Sequence, residues 1–218
     1  MKLRVLVACE YSGSVRDAFR ALGHDAMSCD LLPTDIPGPH YQGDVFDIIE
    51  EGFDIMVAHP PCTHLAVSGA RWFKHKQKEQ KEALEFVQRL MDAPIPHIAI
   101  ENPVSIISSR IRKPEQIIQP WMFGDPFQKT TCLWLKNLPG LEPTKIVDKG
   151  EFFEWTDKKT GKKKRQAVWY KEAWSKGDLR WKIRSKTFQG IADAMADQWS
   201  KHVVKNGPTE PKVPSQVE

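Results

Sequence analysis

Two residues in this sequence, a cysteine and a glutamate, have the type and placement to do chemistry together. The run Asp54-Ile-Met-Val-Ala-His-Pro-Pro-Cys-Thr-His64 begins as a buried strand, and Pro60-Pro61 ends it just before Cys62. His97-Ile-Ala-Ile-Glu-Asn-Pro103 ends the same way and delivers Glu101 and Asn102. In α/β proteins the rim formed by strand ends is where ligands bind. A thiol and a carboxylate on two such ends suit a nucleophile with an acid partner. The pairing fits attack on an aromatic ring that must be protonated as it is attacked.

The elements that must hold these residues are legible as periodicity. Residues 3–9 pattern as a buried strand, Gly13 marks a turn, and Ser14 is the expected N-cap of a helix to about residue 22. A second strand is expected over 25–29, closing on Asp30. The proline-rich stretch from Leu31 to Gln42 reads as a loop, and Gly43-Asp44 ends it. A short amphipathic segment over 46–50 and a strand over 54–58 follow, then a polar loop over 63–74. Leu84, Val87, Leu90 and Met91 fall at helical spacing within 75–92, and Pro94 and Pro96 separate that helix from a strand over 97–101. Strands alternating with helices predict a parallel sheet covered on both faces. Residues 151–156 and 166–170 read as strands around a lysine-rich turn, a β-hairpin insert. Over 187–204, Ile191, Met195, Trp199 and His202 line one helical face. The expected division is a core over 1–138, an insert over 139–183, a helix returning to the core over 184–204 and a disordered tail over 205–218.

Composition narrows the classes. The chain has 218 residues, 40% of them hydrophobic, which suits one domain with a small insert. No run approaches the roughly 20 apolar residues that span a bilayer, so no membrane partner is expected. The apolar run after Met1-Lys2 is short and leads straight into motif-like residues; it reads as a core strand and the expected location is the cytoplasm. Cys9, Cys29, Cys62 and Cys132 are scattered without a C-x-x-C pair, so neither a disulfide framework nor a metal site is expected. Net charge is only +4, yet Lys158, Lys159, Lys162, Lys163, Lys164 and Arg165 fall within eight residues. Such a run on its own is a solvated loop tip.

Pro61-Cys62, Glu101-Asn102, the turn Cys9-Glu-Tyr-Ser-Gly-Ser14, Gly43-Asp44 and the segment Arg184-Ser-Lys-Thr-Phe-Gln-Gly-Ile-Ala-Asp193 together resemble motifs of the DNA cytosine-5 methyltransferases. The resemblance is to a compact form like those carried by bacteriophages. It covers most of 3–137 and returns at 184–199. It implies an α/β fold: a doubly wound, mostly parallel sheet of the S-adenosylmethionine-dependent methyltransferase type, with the hairpin as a DNA-contacting insert. It implies S-adenosylmethionine as cofactor and DNA as partner, in the cytoplasm of a bacterial host. Glu10, Tyr11, Ser12 and Gly13 would wrap the methionine part, Asp30 the ribose and Asp44 the adenine. Pro60, Thr187, Gln189 and Gly190 would complete that pocket. Cys62 would attack C6 of a flipped cytosine, Glu101 would bind N3 and the exocyclic amine, and Pro61 and Asn102 would frame the base.

The chain also departs from the pattern. One glycine stands in the first turn where the family usually shows two, and Ile191 replaces the usual asparagine. The Gln-x-Arg-x-Arg motif has only Gln128-Lys-Thr-Thr-Cys132 as counterpart, so Arg71 and Lys129 are candidate substitutes. Arg71 or His64 would favour the Cys62 thiolate, and Leu65 to Lys74 would form a lid. Lys162, Lys163, Lys164 and Arg165 would meet phosphates, with Trp155, Trp169 and Trp174 available to stack on bases. A cation at Arg184 or Lys186 could instead recognise a carboxylated S-adenosylmethionine. Other readings are an amino-methyltransferase, although His59-Pro-Pro-Cys62 lacks the acid and the aromatic of Asp-Pro-Pro-Tyr. A zinc deaminase lacks its second cysteine here. A non-catalytic nucleic-acid-binding module also stays open, as does monomer against dimer.

Overall fold

The computed structural model describes residues 1–170, 177, 182 and 185–207. Trp174, Arg184 and the tail beyond Gly207 lie outside the described residues. The chain builds a seven-stranded mixed sheet in the order β3-β2-β1-β4-β5-β7-β6. The parallel part comprises β1 (Arg4–Ala8), β2 (Asp25–Asp30), β3 (His40–Gln42), β4 (Ile55–Ala58) and β5 (His97–Asn102). β6 (Gln116–Ile118) and β7 (Thr131–Lys136) complete it, with β7 antiparallel to both β5 and β6. All four residues of β4 are buried, as a strand covered on both faces requires. The mostly parallel α/β sheet expected from the alternation is observed; the reversed pair at its edge was not foreseen.

Period-two alternation sorts the strand residues between two cores. Val5, Val7, Ile55 and Val57 face α1 (Ser14–Ala21) and α4 (Gln189–Asn206). Leu6, Ala8, Met56 and Ala58 face Val87 and Leu90 of α2 (Gln77–Met91) and Ile107 of the short α3 (Ile107–Arg110). In α4 the buried stripe runs Ile191, Met195, Trp199, Val203; His202, expected on that stripe, is half-buried beside it. The 3.6-residue period places 203, not 202, beneath 199. The indole of Trp199 donates to the Pro139 carbonyl at 3.0 Å, so this large ring is both buried and satisfied.

Gly190 lets α4 dock. A Cβ there would lie 1.8 Å from the Phe123 carbonyl oxygen, while its N–H donates to Asp125 at 3.1 Å. Gly190→Ala therefore forces the helix off its seat and should cost about 2–3 kcal/mol, read as a lower urea midpoint at unchanged slope.

Three expectations need correction. The stretch after Cys62 is not an open loop: Val67–His75 winds as a 3-10 helix, launched by Leu65 and Ala66 N–H groups donating to the Cys62 carbonyl. The hairpin exists, as β8 (Phe152–Thr156) and β9 (Lys163–Ala167), but its second strand starts earlier, and residues 168–170 are helical. Lys163, Lys164 and Arg165 thus lie in β9 rather than at the turn. The insert also begins later than residue 139. Leu141 is buried in the core, and Lys145 and Val147 N–H groups donate to Met122 and Trp121 carbonyls. Among the described residues no helix is long and apolar enough to cross a membrane.

Candidate functional site

β4 and β5 are parallel neighbours with Ala58 opposite Ile100, so their exits lie side by side. Register alone therefore brings the Pro60-Pro61-Cys62 loop next to Glu101 and Asn102. Side chain and backbone then lock the two exits together. Asn102 Nδ2 donates to the Pro60 carbonyl at 2.8 Å, Val67 N–H to Val104 and Ile106 N–H to Leu65. Cys62 itself is exposed on this framework.

Glu101 is only 9% exposed, and its Oε2 lies 3.0 Å from His59 Nδ1. Burial alone would push its carboxyl up, but the His59 hydrogen bond and the Lys129 charge hold it below the usual glutamate range. Lys129, at the approach to β7, is thereby brought to the site, with its Nζ donating to the Lys186 carbonyl at 3.1 Å. Arg71 sits instead on the exposed 3-10 segment, its guanidinium 5.1 Å over the Trp72 ring. Several buried polar atoms around the two exits have no hydrogen-bond partner among the described residues: His59 Nε2, His64 Nδ1, Asn102 Oδ1 and Ser105 Oγ. Buried polar atoms are seldom left so, and a cluster of them beside an exposed thiol suits a polar ligand or ordered water.

A cleft of about 270 Å³ opens beyond the ends of β1 and β2, with Asp30, Asp44, Pro61, His64 and Phe86 among its walls. The chain leaves β1 toward β2 on one side and later adds β4 on the other, so the cleft sits at the topological switch point. Its floor is apolar in effect. Burial pushes the Cys29 thiol up to about 12 and drives Cys9 upward as well, so both stay protonated. Asp30 and Asp44 supply acceptors. Each carboxylate also orders its own loop by accepting from Leu32 N–H at 2.9 Å and Phe46 N–H at 3.0 Å. Burial raises the Asp30 carboxyl despite that bond.

The turn after β1 is built differently from the expectation. Gly13, at φ 74°, is the N-cap of α1, and Ser14 is already helical. The cap is provided by Glu10, whose carboxylate accepts from Val15 N–H at 2.7 Å and Arg16 N–H at 3.2 Å. An anion at a helix N-terminus gains from the dipole as well as from the orphan donors. Ser12 Oγ donates to the same carboxylate, and a Cβ on Gly13 would meet the Arg16 guanidinium at 2.5 Å. Tyr11 OH bonds Ser185 Oγ at 2.7 Å and donates to the Lys182 carbonyl at 3.0 Å, tying the turn to the segment before α4. There Gln189 Nε2 donates to Asp193, Thr187 is half-buried, and Lys182 and Lys186 pair with Asp35 at 3.0 and 3.6 Å. Lys186 thus already has an anion.

On the insert, Lys162, Lys163, Lys164 and Arg165 are exposed; Lys164 pairs with Asp157, and Arg165 lies 5.0 Å over Phe152. Trp155 is 37% exposed and stacks on Phe153 at 5.7 Å. Trp169 packs the other way: its indole donates to the Gln128 carbonyl, and it meets Phe127 and Phe188 edge-on. Trp169 thus anchors the insert on the core.

The pairing of His59 with Glu101 escaped sequence reasoning, as did the Glu10 cap and the Phe86 wall. The signal for His59 was its position directly before Pro60-Pro61; its partner lies 42 residues away. Among known proteins, no family model and no curated sequence matches the chain.

Proposed function

We propose that the chain is a DNA cytosine-5 methyltransferase that uses S-adenosylmethionine. One observation carries the reading: a single loop borders both halves of the required chemistry. Pro61 walls the switch-point cleft beside Asp30, and the next residue, Cys62, is exposed at the strand exit adjoining Glu101. A donor in the cleft and a base at Glu101 would meet across that loop. The cleft is near the lower end of ligand pockets, about 300 Å³. The Asp30 and Asp44 carboxylates suit ribose hydroxyls and an adenine amine, and the Phe86 ring suits a purine face. The antiparallel β7 between β5 and β6 departs from the all-parallel dinucleotide-binding order.

S-adenosylmethionine bound there supplies an electrophilic sulfonium methyl group. Cys62, as thiolate, adds to C6 of a cytosine flipped from the duplex, and C5 becomes nucleophilic. Glu101 orients the ring through N3 and the exocyclic amine, and N3 takes up a proton as the thiolate adds. After methyl transfer to C5, solvent water at the exposed exit takes the C5 proton, the Cys62–C6 bond breaks, and the ring is restored. The exposed basic strand β9, with the stacked Phe153 and Trp155, supports phosphate contact by the insert.

The test is capture. The purified protein is mixed with S-adenosylmethionine and DNA carrying 5-fluorocytosine, and intact mass is read under denaturing conditions. Fluorine blocks the last elimination, so the expected species is protein joined to DNA with one added methyl. Intact cofactor binding without any adduct over many sequence contexts sinks the proposal. The cleft makes a separate prediction. Asp30→Asn loses a charged acceptor and should weaken S-adenosylmethionine binding by about 1.5–3 kcal/mol, roughly 10- to 150-fold by calorimetry.

A further inference from the structure

Resting on the cytosine-5 reading above, we propose that His59 is a positioning residue that holds the proton which Glu101 passes to the base and takes it back at turnover. The two side chains are 10% and 11% exposed and 3.0 Å apart, Nδ1 to Oε2. An ionised carboxylate only accepts hydrogen bonds, so Nδ1 carries the proton between them. His59 is held from both sides. Its backbone N–H donates to the Ala8 carbonyl at 2.9 Å, and the next residue, Pro60, is clamped by Asn102. Its other ring nitrogen, Nε2, is buried without a partner among the described residues, so its hydrogen-bonding capacity is unused there.

Chemistry demands such a store. Glu101 is ionised in this arrangement, and an ionised carboxylate cannot donate to N3. When the Cys62 thiolate bonds to C6, N3 becomes basic. The store requires His59 in its protonated form: its Nδ1–H bond breaks, the proton passes to the Glu101 carboxylate and on to N3, and His59 is left neutral with its remaining proton on Nε2 and Glu101 again ionised. When the Cys62–C6 bond breaks, the N3 proton returns by the same route, while the C5 proton leaves separately. Other titratable groups bear on the pair. Lys129 acts on Glu101 with the same sign as His59. Cys132, in β7, is kept protonated by burial. Cys62 and His64 follow in the His59 loop itself.

The experiment follows the rate of adduct formation with S-adenosylmethionine and 5-fluorocytosine DNA from about pH 5.5 to 9, across the range where a histidine titrates. It uses the full chain and His59→Asn, whose amide can keep a hydrogen bond to Glu101 but cannot store a proton. The wild type should lose rate on the alkaline side. His59→Asn should be slower by about 100-fold and lack that alkaline limb, with unchanged S-adenosylmethionine affinity. A wild-type profile and rate in His59→Asn overturns the relay alone, because capture by the wild type leaves the cytosine-5 reading standing. No wild-type adduct overturns both. A second measurement is independent of activity and of His59→Asn: the His59 imidazole titration, followed by NMR in the wild type and in folded Glu101→Gln. A titration that moves to lower pH when Glu101 loses its charge supports the pair; identical titrations overturn it.

Discussion

Replacing Cys62 by alanine should abolish the covalent capture of 5-fluorocytosine DNA and leave the protein folded. The thiol is exposed, and the anchoring of the loop runs through the Cys62 carbonyl, which accepts from Leu65 and Ala66. Alanine keeps that carbonyl, so stability should stay within about 0.5 kcal/mol of the wild type. Under the proposed chemistry the loss is very large. C5 of an unactivated cytosine is a poor nucleophile, and removal of a covalent nucleophile typically costs at least about 10⁴-fold in rate. Single-turnover methyl transfer from labelled S-adenosylmethionine should fall to background, while calorimetric binding of the cofactor is retained. Persistent adduct in Cys62→Ala would assign the nucleophile to another residue.

Glu101→Gln should lower the single-turnover rate by about 10²- to 10⁴-fold without changing S-adenosylmethionine affinity. Glutamine fills the same volume and can still face the exocyclic amine or His59, but it cannot pass a proton to N3. The switch-point cleft proposed for the cofactor lies beyond β1 and β2, across β4 from Glu101, which is why affinity and rate should separate. The same substitution has a pH signature in stability. The folded Glu101 carboxyl is held below its ordinary value of 4.5. Its contribution is therefore fully present above that value and lost as pH falls through the lower folded one. Urea midpoints of the wild type should drop more steeply than those of Glu101→Gln below about pH 4.5. Parallel acid limbs would remove the His59–Glu101 pair as a source of stability.

Much of this arrangement was written locally. Pro60-Pro61 ends a buried strand because proline lacks the N–H a central strand needs, and that alone set Cys62 at a rim. The Ile191, Met195, Trp199 stripe announced α4, and the runs flanking Asp157–Lys162 announced a hairpin. These signals are short-range: periodicity, turn chemistry and missing donors act within a few residues. Other features depend on partners far along the chain. The direction of β7 is decided by the route from β5 through β6 and by pairing with Asn102 and its neighbours, not by the apolar run Thr131–Lys136 itself. Trp169 carries the same composition signal as Trp155. Only the packing of Phe127 and Phe188 turns the first inward, while the second stays half-exposed on its strand.

Local sequence was enough to set a thiol and a carboxylate at two strand exits, with acids near a turn at the first strand. Tertiary structure alone decided that those exits adjoin, that Glu10 caps α1, and that His59 holds Glu101 ionised. The reason is that side-chain chemistry is inherited from each residue, whereas its charge state and neighbours follow from burial and from contacts that close only when distant segments pack.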